Sequence, residues 1–329
     1  MSEASRTIYS VVVPVYRNRD SIPELVARLE DLQVRLPQAL QAVFVVDGSP
    51  DDSADVLRET LAAAGLRARL AVLSRNFGSF SAIRVGLGHA EGDYLAVMAA
   101  DLQEPIEVVE EFFNLLARGD CDVAIGQRTG RGDPALDSVS SRAYWRLYRR
   151  FVNPDFPPGG VDVFGCTRQV ATALTQFSER HTSLVGLLFW LGFRRRLVPY
   201  ERAARVHGTS GWTLRRKLRY LLDSVYAFTD LPILLLQGIG VSGLLVSVVF
   251  GLIVLVAYAA GQIQQAGYTP LIITILASTS ALLVGLGVVG SYVWRAYENG
   301  QGRPVAVVAS MEEFNPAHSA ITAREASRV

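Results

Sequence analysis

Apolar and polar positions alternate in two quite different ways along this chain. Residues 231–294 contain no Asp, Glu, Lys, Arg or His at all. A short polar stretch, 261–269, divides them into runs at 231–260 and 270–294, and each exceeds the roughly 20 residues that carry a helix across a bilayer core. The pattern predicts two transmembrane helices joined as a hairpin within residues 230–295. Sixty-four consecutive residues without a charge argue against a buried soluble core.

Over residues 1–210 the apolar runs are short and alternate with amphipathic segments, the order expected of an α/β domain. Strands are predicted at 9–15, 42–46, 71–73, 94–98 and 123–125. Between them Ile22, Leu25, Val26, Leu29 and Leu32 share one helical face, as do Ile106, Val109, Phe112, Phe113 and Leu116. Mostly parallel strands follow from this alternation. Two further stripes are edged by arginine. In 139–152, Val139, Ala143, Leu147 and Phe151 recur beside Arg142, Arg146, Arg149 and Arg150, which suits an interfacial helix and equally one packed on the domain. In 211–229, Leu214, Leu218, Leu221, Leu222 and Val225 form a stripe directly before the first span, the place for a juxtamembrane amphipathic helix. The polar tail within 296–329 is expected to be disordered after Glu312.

Charge adds orientation. The formal net charge is only +1, which gives no reason to invoke nucleic acid. Locally, Arg215, Arg216, Lys217 and Arg219 precede the first span and Arg295 and Arg303 follow the second, while the connecting loop has no basic residue. Both termini, the soluble domain and the tail are therefore expected on the cytoplasmic side, with the basic collar at anionic lipid headgroups. Two cysteines, Cys121 and Cys166, both in the soluble part, fit reduced thiols.

The sharpest chemical signal is the apolar run ending at Ala100, because it delivers Asp101 and Gln103 to the C-terminal edge of a predicted strand. Ligands of open α/β sheets bind outside those strand ends, and an acid and an amide two residues apart can hold a hard cation that carries a diphosphate.

The motifs around it resemble those of family 2 glycosyltransferases, in particular the membrane-anchored polyprenyl-phosphate glycosyltransferases of the dolichol-phosphate mannose synthase type. They run through Val12-Val13-Pro14-Val15-Tyr16-Arg17-Asn18, Val46-Asp47-Gly48-Ser49-Pro50-Asp51, Ser74-Arg75-Asn76-Phe77-Gly78, Ala100-Asp101-Leu102-Gln103-Glu104-Pro105, Gly126-Gln127-Arg128, the Asp162 region, Trp190-Leu191-Gly192-Phe193 and the segment from Arg205 to Trp212. Their order, their spacing and the hairpin behind them carry the resemblance over nearly the whole chain.

The resemblance implies a GT-A catalytic domain, a Rossmann-like α/β fold with a mostly parallel sheet, ahead of the transmembrane hairpin. It also implies inverting transfer of a sugar from a nucleotide-sugar, expected to be a UDP-sugar, to a polyprenyl phosphate at the membrane. On the matching positions Pro14, Tyr16 and Asp47 cradle the nucleotide, Asp101 and Gln103 hold Mg²⁺ or Mn²⁺, and Arg128, Arg131 and Arg205 lie near phosphates. Asp162 matches an acidic residue proposed as catalytic base in relatives. A phosphate monoester is already largely ionised at neutral pH, so the expected task of Asp162 is to position the acceptor or shape charge near the anomeric carbon.

Two carboxylates of the family pattern are missing, Val46 and Ala99 standing where Asp is usual. Magnesium is commonly held by one or two carboxylates with phosphates and water, so the second loss weakens metal binding without abolishing it. Transfer to another lipid acceptor and a catalytically silent scaffold are the alternatives. Gly238-Ile-Gly240-Val-Ser-Gly243 and Gly285-Leu-Gly287-Val-Val-Gly290 mimic a dinucleotide fingerprint but lie inside predicted spans, with no strand before them. Gly243, Ser247 and Gly251 make a small-residue face for close helix packing, within the hairpin or between protomers of a homo-oligomer. Asp120-Cys121-Asp122 precedes a strand and reads as turn chemistry. No Gln-x-x-Arg-Trp occurs, which argues against a processive polysaccharide synthase.

Overall fold

A computed structural model describes residues 9–129, 146, 149–150, 154, 156–157, 161–177, 179, 183–203, 222–226, 229, 231–260 and 268–316. The chain divides into two compact units, one formed by Met1–Lys217 together with Arg303–Val329, the other by Leu218–Gly302.

The first unit begins with the most apolar strands. β1 (Tyr9–Val15) and β2 (Leu40–Val46) are covered on both faces, which is why their sequences lack an alternating polar face. They lie side by side and parallel, with β3 (Arg67–Leu73) beyond β2 and β4 (Tyr94–Val97) on the other side of β1. α1 (Ile22–Arg35), α2 (Ser53–Ala63) and α3 (Ser79–His89) make the right number of crossovers for these parallel pairs. In α1 the predicted stripe from Ile22 to Leu32 is buried throughout. Pro23 sits in its first turn, and the helix stops at Leu36, whose extended backbone suits the residue before Pro37. α4 (Ile106–Ala117) buries Phe112, Phe113 and the rest of its predicted stripe as well.

Beyond β4 the sheet departs from a parallel pattern. β5 (Val123–Arg128) does not pair with β4. β6 (Phe164–Thr167) inserts between them, antiparallel to both, and β7 (Arg195–Tyr200) pairs parallel to β5 at the edge. α5 (Arg168–Gln176) and α6 (Leu184–Trp190) connect β6 to β7. At the opposite edge β8 (Val308–Phe314) lies antiparallel on β3, giving the order β7-β5-β6-β4-β1-β2-β3-β8. β8 corrects the expected tail, since residues 313 and 314 continue a strand past Glu312. Its Glu312 pairs with Arg58 of α2 at 2.9 Å and its Glu313 with Arg69 of β3 at 2.6 Å. The sheet is thus mostly parallel, with β6 and β8 running antiparallel to the other strands.

In the second unit α7 (Leu231–Ala259) and α8 (Tyr268–Gly300) run antiparallel. A Cβ on Gly285 of α8 would lie 3.3 Å from Leu236 near the start of α7. The preceding helical residues 222–226 meet the end of α8, where Asp223 pairs with Arg295 at 2.7 Å and the rings of Tyr226 and Tyr292 pack edge to face. Many large apolar side chains are exposed, among them Leu245, Phe250 and Leu286. Among the described residues no helix is long and apolar enough to cross a membrane; several positions within α7 and α8, Ser247 and Gly251 included, lie outside the described side chains. Both mimics of the dinucleotide fingerprint are helical. Most of the arginine-edged stripe at 139–152 and of 211–229 also lies outside the described residues.

Candidate active site

The predicted residues lie at the C-terminal ends of the parallel strands, in two groups. The first is built on β1, β2 and β3. Asp47, directly after β2, is buried, and its carboxylate accepts from the amides of Phe77 (2.7 Å) and Gly78 (2.8 Å). Burial raises its pKa, outweighing those two amides and the Arg75 charge that favour the ionised form. Gly48 follows with φ +54°, and a Cβ there would stand 2.2 Å from the Arg75 carbonyl carbon. Only glycine allows this turn to press so closely on the loop after β3. The Ser74-Arg75-Asn76-Phe77-Gly78 motif is thereby clamped to the Asp47-Gly48 motif, with the Arg75 guanidinium 4.0 Å over the Phe77 ring.

Asp51 organises the other side of the same loop. Its Oδ1 accepts from the hydroxyls of Ser49 (2.5 Å) and Ser53 (2.6 Å), while Ser49 Oγ accepts from the Arg17 amide (2.8 Å) and Ser53 Oγ from the Asn18 amide (3.3 Å). Burial opposes its charge, yet these hydroxyls and the Ser53 amide leave the carboxyl below its usual range. Arg17 is held at φ +58°, an uncommon conformation for a residue with a side chain. Pro14 pairs with Val45 inside the sheet, and Tyr16 emerges from it with 40% exposure. An exposed aromatic ring beside a rigid, hydrogen-bonded loop is a natural support for a nucleobase.

The second group is built on β4, β5 and β7. Between Asp101 and Gln103 the backbone passes through the left-handed region at Leu102, φ +57°. Such a conformation on a leucine costs of order 1 kcal/mol or more and is held by its surroundings. Ser21 Oγ donates to the Ala100 carbonyl at 2.7 Å. The Gln103 carbonyl accepts from the Ala203 amide at 2.9 Å, and Gln103 Nε2 donates to the Ala203 carbonyl at 3.4 Å. The amide oxygen Oε1 of Gln103 is buried and makes no hydrogen bond among the described residues.

Next to it Glu104 is 1% exposed, with neither carboxylate oxygen hydrogen-bonded. Burial first, then the Asp101 charge, pushes its pKa up to about 7, against the partial relief of Arg202 and Arg128. Arg202 Nε stands 3.8 Å from Glu104 Oε1, an ion-pair distance too long for a hydrogen bond.

Arg128 ends β5 directly opposite Tyr200 on β7. Both converge on Asp162: its Oδ2 forms an ion pair with Arg128 and accepts from the Tyr200 hydroxyl at 3.4 Å. Gly126 makes this possible, since a Cβ there would lie 2.5 Å from Val163 and 3.0 Å from the Tyr200 ring. Charge interactions join the group, with Glu104 sensing Asp101, Arg202 and Arg128, and Tyr200 sensing Glu104, Arg128 and Arg202.

Asp101, Gln103, Arg128 and Asp162 are therefore gathered, and Pro14, Tyr16 and Asp47 lie at the neighbouring strand ends. Arg131 and Arg205 lie outside the described residues. Asp122 forms an ion pair with Arg194 at 2.9 Å, in keeping with a turn and not a ligand site. Sequence reasoning passed over Glu104, Tyr200 and Arg202. Glu104 stands within the Ala100–Pro105 motif, but nothing in the motif tells a buried carboxylate from a solvated one, and the Arg195–Tyr200 strand is too mixed in polarity to predict.

A divalent cation fits this site under one condition. No cluster of three carboxylate, imidazole or thiol groups occurs among the described residues, so the protein offers the Asp101 carboxylate and the buried Gln103 Oε1. Hard oxygen ligands of this kind suit Mg²⁺ or Mn²⁺ when phosphate oxygens and water complete the shell.

Residues 10–172 match the family described as glycosyl transferase family 2. The chain is 32% identical over 299 residues to an undecaprenyl-phosphate 4-deoxy-4-formamido-L-arabinose transferase of Klebsiella pneumoniae, covering 90% of each chain. It is 28% identical over 311 residues to a prophage-derived bactoprenol glucosyl transferase of Shigella flexneri, covering 93% of this chain and 99% of that one. Among solved structures, mannosyl-3-phosphoglycerate synthase from Rubrobacter xylanophilus shares the fold with a TM-score of 0.50 at 14% identity, over 79% of this chain and 77% of that one.

Proposed function

The chain belongs to glycosyl transferase family 2, and from that membership we propose that it transfers a sugar from a nucleotide-sugar to a polyprenyl phosphate at a membrane surface. The observation that carries the reading is the gathering of Asp101, Gln103, Arg128 and Asp162 at one strand edge beside the Asp47 loop. The two relatives are named for undecaprenyl phosphate and bactoprenol as acceptors, and they align over nine-tenths or more of their length.

The chemistry follows from these groups. A phosphate oxygen of the acceptor attacks the anomeric carbon while the nucleoside diphosphate departs from the opposite face, inverting that centre. Departure requires compensation of the charge growing on the diphosphate. Asp101 and Gln103 would hold a Mg²⁺ or Mn²⁺ ion, which supplies Lewis-acid stabilisation of that charge. Arg128 adds a guanidinium, and Tyr16 with the clamped Asp47 loop seats the nucleotide, a UDP-sugar in this proposal. Asp162 is held between the Arg128 guanidinium and the Tyr200 hydroxyl, an arrangement that fixes the carboxylate and the arginine in place. Its task is accordingly to orient Arg128 and the acceptor, an ionised phosphate needing no base.

The membrane hairpin belongs to the same proposal. Supporting it are the uncharged sequence from 231 to 294, the antiparallel packing of α7 on α8 and their exposed apolar side chains. A topological argument adds to these: the segments on either side of 218–302 belong to one folded unit. An insertion that leaves and re-enters one folded unit crosses a bilayer an even number of times. Cytoplasmic placement of that unit rests on the basic collar at the helix ends.

Calorimetric binding of UDP, GDP, CDP and dTDP to the detergent-purified full chain, with and without Mn²⁺, tests the donor site. One nucleotide binding in a metal-dependent way, with loss of binding in Asp101→Ala, is the expected outcome. A well-folded protein that binds none of the four would instead point to a silent scaffold.

A further inference from the structure

Glu104 is a conspicuous expense in the site just described. Its side chain is 1% exposed, and both carboxylate oxygens lack a hydrogen bond among the described residues. Its counter-charge, Arg202, has an Nε that is likewise buried without a hydrogen bond, 3.8 Å away. A buried pair of this kind adds little stability, because the lost hydration of both ions roughly offsets their attraction. Well-packed apolar side chains in place of both members would serve the fold as well or better, so the reason for the pair is sought in the site.

We propose that Glu104 is a positioning residue that holds Arg202 beside Arg128, and that Arg202 is a further cation for the diphosphate of the donor. The inference rests on the glycosyl-transfer reading above. Three observations lead to it. Arg202 follows Tyr200, whose hydroxyl reaches Asp162, so its backbone is already at the site. Ala203 is tied at both its amide and its carbonyl to Gln103, so residue 202 is anchored across from the Asp101–Gln103 turn that would hold the cation. Finally, Glu104 engages Arg202 through Nε, and this geometry leaves the two terminal nitrogens of the fork, the ones suited to bidentate phosphate binding, beyond the contact. Its side chain keeps 21% exposure, where that of Glu104 has almost none.

The test is a double-mutant cycle on the full chain in detergent with Mn²⁺, titrated with whichever of UDP, GDP, CDP or dTDP the wild type binds. Arg202→Ala is expected to weaken binding about tenfold, the loss of one charge-assisted contact. Glu104→Gln, nearly isosteric, is expected to weaken it severalfold in a protein that still unfolds cooperatively. In the Arg202→Ala background Glu104→Gln should then have no further effect, because its influence passes through the arginine. Unchanged affinity in Arg202→Ala, or effects of the two substitutions that add in full, overturns the proposal. Should Glu104→Gln fail to fold, Arg202→Ala and Arg202→Lys decide it, with lysine expected to recover part of the loss and equal affinity of all three proteins overturning it. A wild type that binds no nucleotide would overturn the transfer reading itself, and this inference with it.

Discussion

The two halves of the strand edge are finished to different degrees. On the β1–β2–β3 side the carboxylates that shape the loops are engaged: each oxygen of Asp47 takes a backbone amide, and Asp51 Oδ1 takes two hydroxyls. On the β4–β5–β7 side Gln103 Oε1, both Glu104 oxygens and Arg202 Nε are buried without hydrogen bonds among the described residues. Buried polar groups are ordinarily satisfied, and the exceptions mark places where function overrides stability. The first half is a preformed seat, whereas the second has unmet polar capacity that a cation and phosphates would complete. A nucleotide can dock on a rigid loop, but charge stabilisation during transfer needs groups held ready and not already spent on one another.

The comparison can be broken most readily at Asp101. Asp101→Ala is expected to abolish metal-dependent nucleotide binding and to lower transfer to a polyprenyl phosphate about a thousandfold, with an unchanged melting temperature, as measured by radiolabelled sugar transfer and thermal unfolding. Asp162→Asn should cost about a hundredfold in turnover, at pH 6 and pH 8 alike. Full recovery at pH 8 would show that Asp162 acts as a base and sink the positioning role. On the preformed side the readout changes from activity to stability. Asp47→Asn presents an amide nitrogen to a backbone N–H and should lower unfolding free energy by ~2 kcal/mol in urea titrations, with weaker nucleotide binding only as far as the 75–78 loop loosens. If Asp47→Asn left stability untouched yet removed nucleotide binding, the seat would be a contact surface and not a preformed clamp. The smallest effect is expected for Tyr200→Phe. Its hydrogen bond to Asp162 is 3.4 Å long and secondary to the Arg128 pair, so turnover should fall about threefold.

Much of this was legible without coordinates. The buried faces of α1 and α4 are the ones their apolar spacing predicts, and β1 spans the residues read as a strand. Asp47 and Arg128 stand at strand ends because a strand that runs apolar through the core leaves it at a polar residue. β6, β7 and β8 are not legible because β6 is only four residues long, β7 opens on two arginines, and β8 carries Glu312 and Glu313 within its run. β3 was read only in part, because Arg67 and Arg69 interrupt its start. Glu104 was invisible for another reason: no local pattern reveals that a carboxylate is buried.

What the sequence by itself determined is the set of things governed by near neighbours: alternation of strand and helix, the uncharged stretch from 231 to 294, and the order of motifs that betrays the family. The tertiary structure decided which of those motif residues meet. Gln103 finds Ala203 across a separation of 100 residues, and Arg128, Asp162 and Tyr200 come together from two strands and a loop. Periodicity reports which face of an element seeks the core, since burial of apolar surface acts residue by residue. Contacts between distant polar groups have no such signature, because they form only after packing has fixed the backbones that carry them.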